Sequence, residues 1–414
     1  SMFYNTSDYN QKPNWNIVIP ANQTGTLVAS GRCVISGTIS GAGTLYFNTP
    51  YVRADLVASG ANFTDRLIVS NSSAGNFRIT TNPVGFPLAN VHLSNTVDMS
   101  AYAATGASAS SSTTTVKIGS LSGVVGSTVG AGIWQVGSDN RDAVFNGVIN
   151  SGATVTKSGT GTWTLTGANL LTTLFTINGG TVIAANTTGS ATGSGTVYVN
   201  NTGVLAGTGT VSGGVVINSG GTIAPGNNSI ATLKLGNNLV LQNGSKTAID
   251  ISGTSNDKIT ITGSVVLKGT LELTNKGAAY QAGNSYTLFT AASATGNFDA
   301  ISPEKPGEGL SWNTSRINEG IISIDLADGI EDISGVTVKV YPGLVNNSCY
   351  MSTACLYGNL RIDVYNQIGK IIFSDTYNSN ESSREIIMQD YKPGIYFIKI
   401  TSGENSYIRK VIKL

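Results

Sequence analysis

The chain has 414 residues, a formal net charge of +1, only 11% charged residues, and 51 glycines against 10 prolines. So little charge combined with abundant β-branched and glycine residues excludes a disordered chain, and the charge balance offers no footing for nucleic acid. No apolar run reaches the roughly 18 residues of a membrane-spanning helix, and the three cysteines, Cys33, Cys349 and Cys355, are too few for a disulfide framework. No basic-then-apolar leader opens the chain, and Ser1-Met2 reads as a scar ahead of a mature N-terminus.

Residues 1–143 contain phrases such as "TLVASGRCVISGTISGAGTLYF" and "TTVKIGSLSGVVG", in which short alternating runs end on glycine. They are expected to form early, less regular turns of a coil, with the segment around Trp15 capping its open edge. The low-complexity "ATGASASSSTTTV" (104–116) is expected to protrude as a loop. His92, the sole histidine, sits in "NVHLS", so alternation turns it outward between inward Val91 and Leu93. Asp139, Arg141 and Asp142 crowd one turn of "GSDNRDAVFNG" and are the best acid/base candidates, although the leading reading is that they solvate a loop between rungs.

From residue 144 to 326 the text repeats. "TINGGTV", "YVNNTGVL" and "VINSGGTI" place Asn178, Asn200 and Asn218 at matching points, and "GTGTW", "GSGTV" and "GTGTV", with an earlier "GAGTL" at residue 41, mark further corners. Between corners the alternation has a period of two, as in Thr162-Trp163-Thr164-Leu165. Ordering about 20 residues of one turn costs roughly 20–40 kcal/mol. Its few inward side chains contribute only about 1.5–3 kcal/mol each. One turn therefore cannot hold itself, whereas stacked turns share a core and a ladder of hydrogen bonds. The expected fold is all-β: a right-handed parallel β-helix, or solenoid. A phosphate loop is a poor reading of "GTGTVSG", because the third glycine is misplaced and strand text follows. The stretches "FNGVINSGATVTKSGTGTWTLTGANLL", "VINSGGTIAPGNNSIATLKLGNNLVLQNGSKTAIDI" and "SNDKITITGSVVLKGTLEL" resemble the passenger β-helix of bacterial autotransporters and their associated strand repeats. That resemblance implies a fold and is almost silent on function.

A polar, acidic linker is expected at 327–334, and the composition then turns richer in Tyr, Lys, Arg and Ile. Alternating runs such as "LRIDVYN", "GIYFIKI" and "YIRKVIKL" predict a small β-sandwich over 335–414. Four anchors, Val340-Tyr341-Pro342, Val364-Tyr365-Asn366 with Gly369-Lys370, Pro393-Gly394-Ile395-Tyr396 and Arg409-Lys410-Val411-Ile412-Lys413, resemble the type IX secretion system C-terminal sorting domain of Bacteroidetes. The turn after Pro342 and the insertion "NNSCYMSTACLYG" depart from that pattern. The resemblance implies export to the outer surface or medium, recognition by the type IX machinery, and a lipopolysaccharide anchor after the tail is removed. Gly394 suits a turn and Tyr396 a packed core. In an exported protein Cys349 and Cys355 are spaced to close a short loop by a disulfide, or to remain thiols.

No cofactor or metal site is expected. Between Asp142 and Lys234 the only charged residue is Lys157, so the regular coil cannot house general acid/base chemistry. Asp250, Asp257 and Lys258 suit a structural role, Trp163 a core slot, and Trp15 an exposed sugar-stacking position. The leading expectation is a non-enzymatic, structural or adhesin-like surface protein, with a glycan, matrix or cell-surface ligand. The rival readings are a β-helix polysaccharide lyase or hydrolase using Asp139, Arg141 and Asp142, and a carbohydrate-binding module.

Overall fold

The computed structural model describes residues 2–4, 13–51, 53–71, 76–80, 85–105, 110–226, 229–327, 337–354, 359–378, 383–403 and 405–414. The chain divides into two compact units, residues 1–304 with 312–323, and residues 305–311 with 324–414.

The first unit is a parallel β-solenoid. Its long ladder starts at Met2–Tyr4 and passes in parallel register through Thr24–Ala29, Thr44–Asn48, Arg66–Ser70, Gly85–Leu93 and Thr115–Gly123. Beyond Thr115–Gly123 each turn contributes two strands to this ladder. They run from Gly132–Val136 and Ala143–Phe145 to Ser293–Gly296 and Ala300–Ser302. A second parallel ladder holds Asn14–Ile19, Cys33–Gly41, Arg53–Leu56, Asn76–Thr80, Asp98–Tyr102, Thr128–Val129 and Val148–Ile149. Trp15 lies in the strand that ends this second ladder, opposite Gly37. Part of the expected loop at 104–116 is strand, since Thr115 and Val116 open Thr115–Gly123 and Ser112 is buried. Residues 106–109 lie outside the described ones.

The period-two alternation builds the core. Val155, Phe175, Val197, Val215, Leu239 and Val265 are successive register partners, each no more than 2% exposed. Trp163, Val182, Leu205 and Ile223 form a parallel column. Trp163 stacks on Phe175 at 6.2 Å and donates its indole N–H to the Leu121 carbonyl at 2.9 Å, which satisfies its one polar group in the core. The rungs meet at corners with no room for a side chain. Gly207 has φ +121°, and a Cβ there would overlap the Ala184 carbonyl of the preceding rung.

The second unit contains two sheets around one core. Thr337–Tyr341, Ser348–Ala354 and Arg384–Ile387 pair antiparallel. Asn405–Lys413, Gly394–Ser402, Asn359–Asn366 and Ile371–Asn378 form the second sheet, joined in parallel by Leu344–Val345. Val338, Cys349 and Met351 of the first sheet and Leu360, Ile362, Ile398 and Tyr407 of the second are buried in a common cluster. Apart from Ala327, the expected linker at 327–334 lies outside the described residues.

Candidate functional site

The solenoid's outer surface decides what it can do. Along the regular part, outward positions are dominated by Thr and Asn. Thr156 pairs with Thr176, and Thr162 with Thr181. Asn178, Asn200 and Asn218 stack, Asn200 Nδ2 donating to Asn178 Oδ1 at 2.7 Å and Asn218 Nδ2 to Asn200 Oδ1 at 2.6 Å. Lys157 adds no surface charge, being 1% exposed. Its ammonium donates to the carbonyls of Ser158 at 2.7 Å and Gly179 at 3.3 Å, and burial lowers its pKa to about 8. It is a plug for a corner where carbonyls converge.

The Asp139–Arg141–Asp142 cluster is largely consumed by the fold. Asp139 accepts from Ser120 Oγ at 2.8 Å and from the Arg141 backbone N–H at 3.0 Å. Its side chain is 4% exposed, with the Arg141 guanidinium 3.8 Å away. Arg141 in turn donates to the Thr64 carbonyl at 2.8 Å. Asp142 Oδ1 accepts the Thr162 N–H at 2.7 Å, tying one rung to the next. Asp257 is a similar staple. Its two oxygens accept the backbone N–H groups of Ala231 at 2.8 Å and Asp250 at 3.0 Å, and burial raises its pKa. Among the described residues, no three His, Cys, Asp or Glu side chains converge to hold a metal ion.

Chemistry-bearing side chains gather on the coil's surface in a groove of about 700 Å³ on the long ladder. Arg66, Asn90, His92, Ser122, Asp142, Val144, Thr162, Thr164 and Ile183 form its walls and floor. Strand register explains the assembly. Ile68 pairs with His92, His92 with Ser122, Val144 with Thr164, and Thr164 with Ile183. The pairing of Gly123 with Phe145 brings Ser122 beside Val144. Val91 and Leu93 are fully buried, so His92 points outward, half-buried. Its Nδ1 is 2.9 Å from Ser122 Oγ. Burial, then the neighbouring Arg66 guanidinium, lowers its pKa, so the ring is neutral at pH 7. Alternation in the sequence turns His92 outward but does not assemble this groove. Its members come from segments 19 to 30 residues apart, and only the stacking of rungs brings them together.

In the tail, the anchor residues serve mainly as structure. Tyr396 is 8% exposed and donates its hydroxyl to the Lys392 carbonyl at 2.7 Å. Gly369 and Gly394 both have positive φ. Asn366 Oδ1 accepts the N–H groups of Ile368 and Lys370, closing the turn at Gly369. Tyr341 is exposed, stacks on Tyr350 at 6.2 Å and is followed by Pro342, while Lys410 is exposed opposite Phe397. Cys349 is a buried free thiol 3.8 Å from Met388 Sδ, its pKa pushed up to about 11 by burial. Cys355 lies outside the described residues.

Residues 339–414 match the secretion system C-terminal sorting domain. Among solved structures the chain is similar to chitinase ChiW of Paenibacillus sp. str. FPU-7, described as a bacterial cell-surface-expressed multi-modular enzyme machinery. The identity is 12%, the alignment covers 97% of this chain and 24% of that one, and the TM-score is 0.17. The chain thus spans about a quarter of that enzyme's length. No curated protein matches the chain.

Proposed function

We propose that this chain, which bears a type IX sorting tail and is exported to the cell surface, is a non-catalytic display module: a stiff, adhesin-like solenoid delivered by that tail. Its kinship with autotransporter passengers rests on the repeat phrases, and removal of the tail in favour of a lipopolysaccharide anchor belongs to the same reading. One observation carries the proposal. Asp139 and Asp257 spend both oxygens, and Asp142 one, on rung-to-rung or corner hydrogen bonds, so these three carboxylates serve the fold and do not form a free pair for acid/base work. Between Asp142 and Lys234 the coil presents mainly hydroxyls and amides, groups suited to contact and solvation.

The test is incubation of the full chain with a panel of neutral and acidic polysaccharides, followed for new reducing ends and for unsaturated sugars, beside binding assays on glycans, matrix proteins and whole cells. The expected result is binding without turnover. Product release that Asp142→Ala abolishes would replace this reading with the lyase or hydrolase one.

A further inference from the structure

We infer that the groove over Arg66, His92 and Asp142 binds an extended glycan strand whose acidic groups are sparse, one lying against Arg66 and hydroxyls against Asp142. The inference rests on the display reading above and names the ligand class for it.

Shape is the first argument. The lining residues follow one another rung by rung, so the groove runs along the coil axis and not along any strand. From the Arg66 rung to the Ile183 rung there are five inter-strand steps, about 24 Å at the usual strand spacing. An open trough of that length suits a linear polymer better than a compact metabolite. The strands beneath it are hydrogen-bonded on both sides, so no free edge is offered for a peptide to add as a further strand.

Chemistry is the second. The floor interleaves hydrogen-bonding groups, His92, Ser122 and Thr164, with apolar Val144 and Ile183. Val144 is 46% exposed. Hydroxyl, amide and imidazole groups match the hydroxyls of a sugar ring, and the aliphatic side chains match its C–H faces. On the same outward column Tyr46 pairs with Ile68, which pairs with His92. Ile68 is only 8% exposed, and Tyr46 beyond it is 42% exposed, an aromatic surface two rungs from the imidazole.

Charge is the third. Arg66 is exposed and makes no ion pair or side-chain hydrogen bond with the described residues, and the neutral His92 beside it does not add to its charge. A carboxylate or sulfate would meet a guanidinium able to bind it in bidentate fashion. Asp142 lies three rungs away with one oxygen committed to Thr162, so it accepts from a hydroxyl and repels an acid. A polymer with an acid on every sugar conflicts with Asp142, whereas one alternating acidic and neutral sugars satisfies both ends.

The test is calorimetric titration of the full chain with a hexasaccharide that alternates uronate and N-acetylhexosamine, and with its carboxyl-reduced form. The acidic hexasaccharide should bind at least tenfold more tightly than the reduced one. Arg66→Gln should remove that preference by weakening only the acidic ligand. Thr164→Trp, which fills the floor without altering charge, should abolish binding of both. Failure of the acidic hexasaccharide to bind, or equal affinity for it in Arg66→Gln, would overturn the inference and leave the non-catalytic reading standing. Cleavage of the bound hexasaccharide would do the reverse, supporting the groove as a glycan site and ending the non-catalytic reading.

Discussion

The coil and the tail both hold many short strands together, yet they use glycine for opposite reasons. In the coil, Gly207 is required twice over. Its φ is +121°, and the backbone of the rung below occupies the space of a side chain. In the tail, Gly369 has φ +78° and a Cβ there would meet nothing within 4 Å, so the turn alone requires it. Pairing differs in the same way. Tail strands such as Gly394–Ser402 and Asn405–Lys413 pair with the strand next in sequence, across a tight turn. Coil strands pair with a strand one whole turn away, as Val199 does with Ile177 and Ile217 at separations of 22 and 18 residues. The tail therefore combines hairpins with longer-range pairs, such as Asn359–Asn366 with Gly394–Ser402, closed onto a common core, whereas each coil rung depends on the rungs above and below it.

The sharpest way to break this contrast is to fill the two glycines. Gly207→Val combines backbone strain with overlap and should cost about 5 kcal/mol or more, while Gly369→Val should cost about 2 kcal/mol. All four tryptophans, Trp15, Trp134, Trp163 and Trp312, belong to the first unit, so indole fluorescence in a urea titration follows the coil. Amide exchange in Asn359–Asn366 and Gly394–Ser402 follows the tail in the same urea series. Equal losses in the two variants would contradict the contrast. Trp163→Ala comes next. It opens a cavity between Phe145 and Phe175 and should cost about 3–5 kcal/mol by fluorescence of the remaining indoles. Asn200→Ala removes the middle of the amide stack and should cost about 1–2 kcal/mol, whereas an isolated surface Asn would cost nothing measurable. The smallest effect concerns Lys157. Its folded pKa of about 8 lies below the ordinary 10.5, so the folded state binds fewer protons than the unfolded one between those values. Stability should therefore rise with pH in that window, by about 1 kcal/mol between pH 8 and pH 9. Lys157→Met should flatten this slope in denaturation curves at the two pH values.

Much of the fold is legible in the chain because its rules are local and repeated. The matching positions of Asn178, Asn200 and Asn218 are the points that stack, and the alternation around Trp163 and His92 gives the correct inward and outward faces. The tail is legible through its turns, where Asn366, Gly369 and Gly394 are required by backbone geometry. The groove is not. Arg66, His92 and Asp142 share no phrase and no spacing, and rungs of unequal length bring them together. The local crowding of Asp139, Arg141 and Asp142 points to chemistry. In the structure, Asp139 instead reaches back to Ser120 on the neighbouring rung, a partner that proximity in sequence does not reveal.

Each rung of the coil is held up by its neighbours, and hydrogen exchange by mass spectrometry on the full chain bearing Gly207→Val addresses this dependence most directly. Protection should fall in Gly180–Ala184 and Thr222–Pro225, on either side of the altered rung, as well as in Gly203–Gly207 itself. Loss confined to Gly203–Gly207, with its neighbours as protected as before, would contradict it.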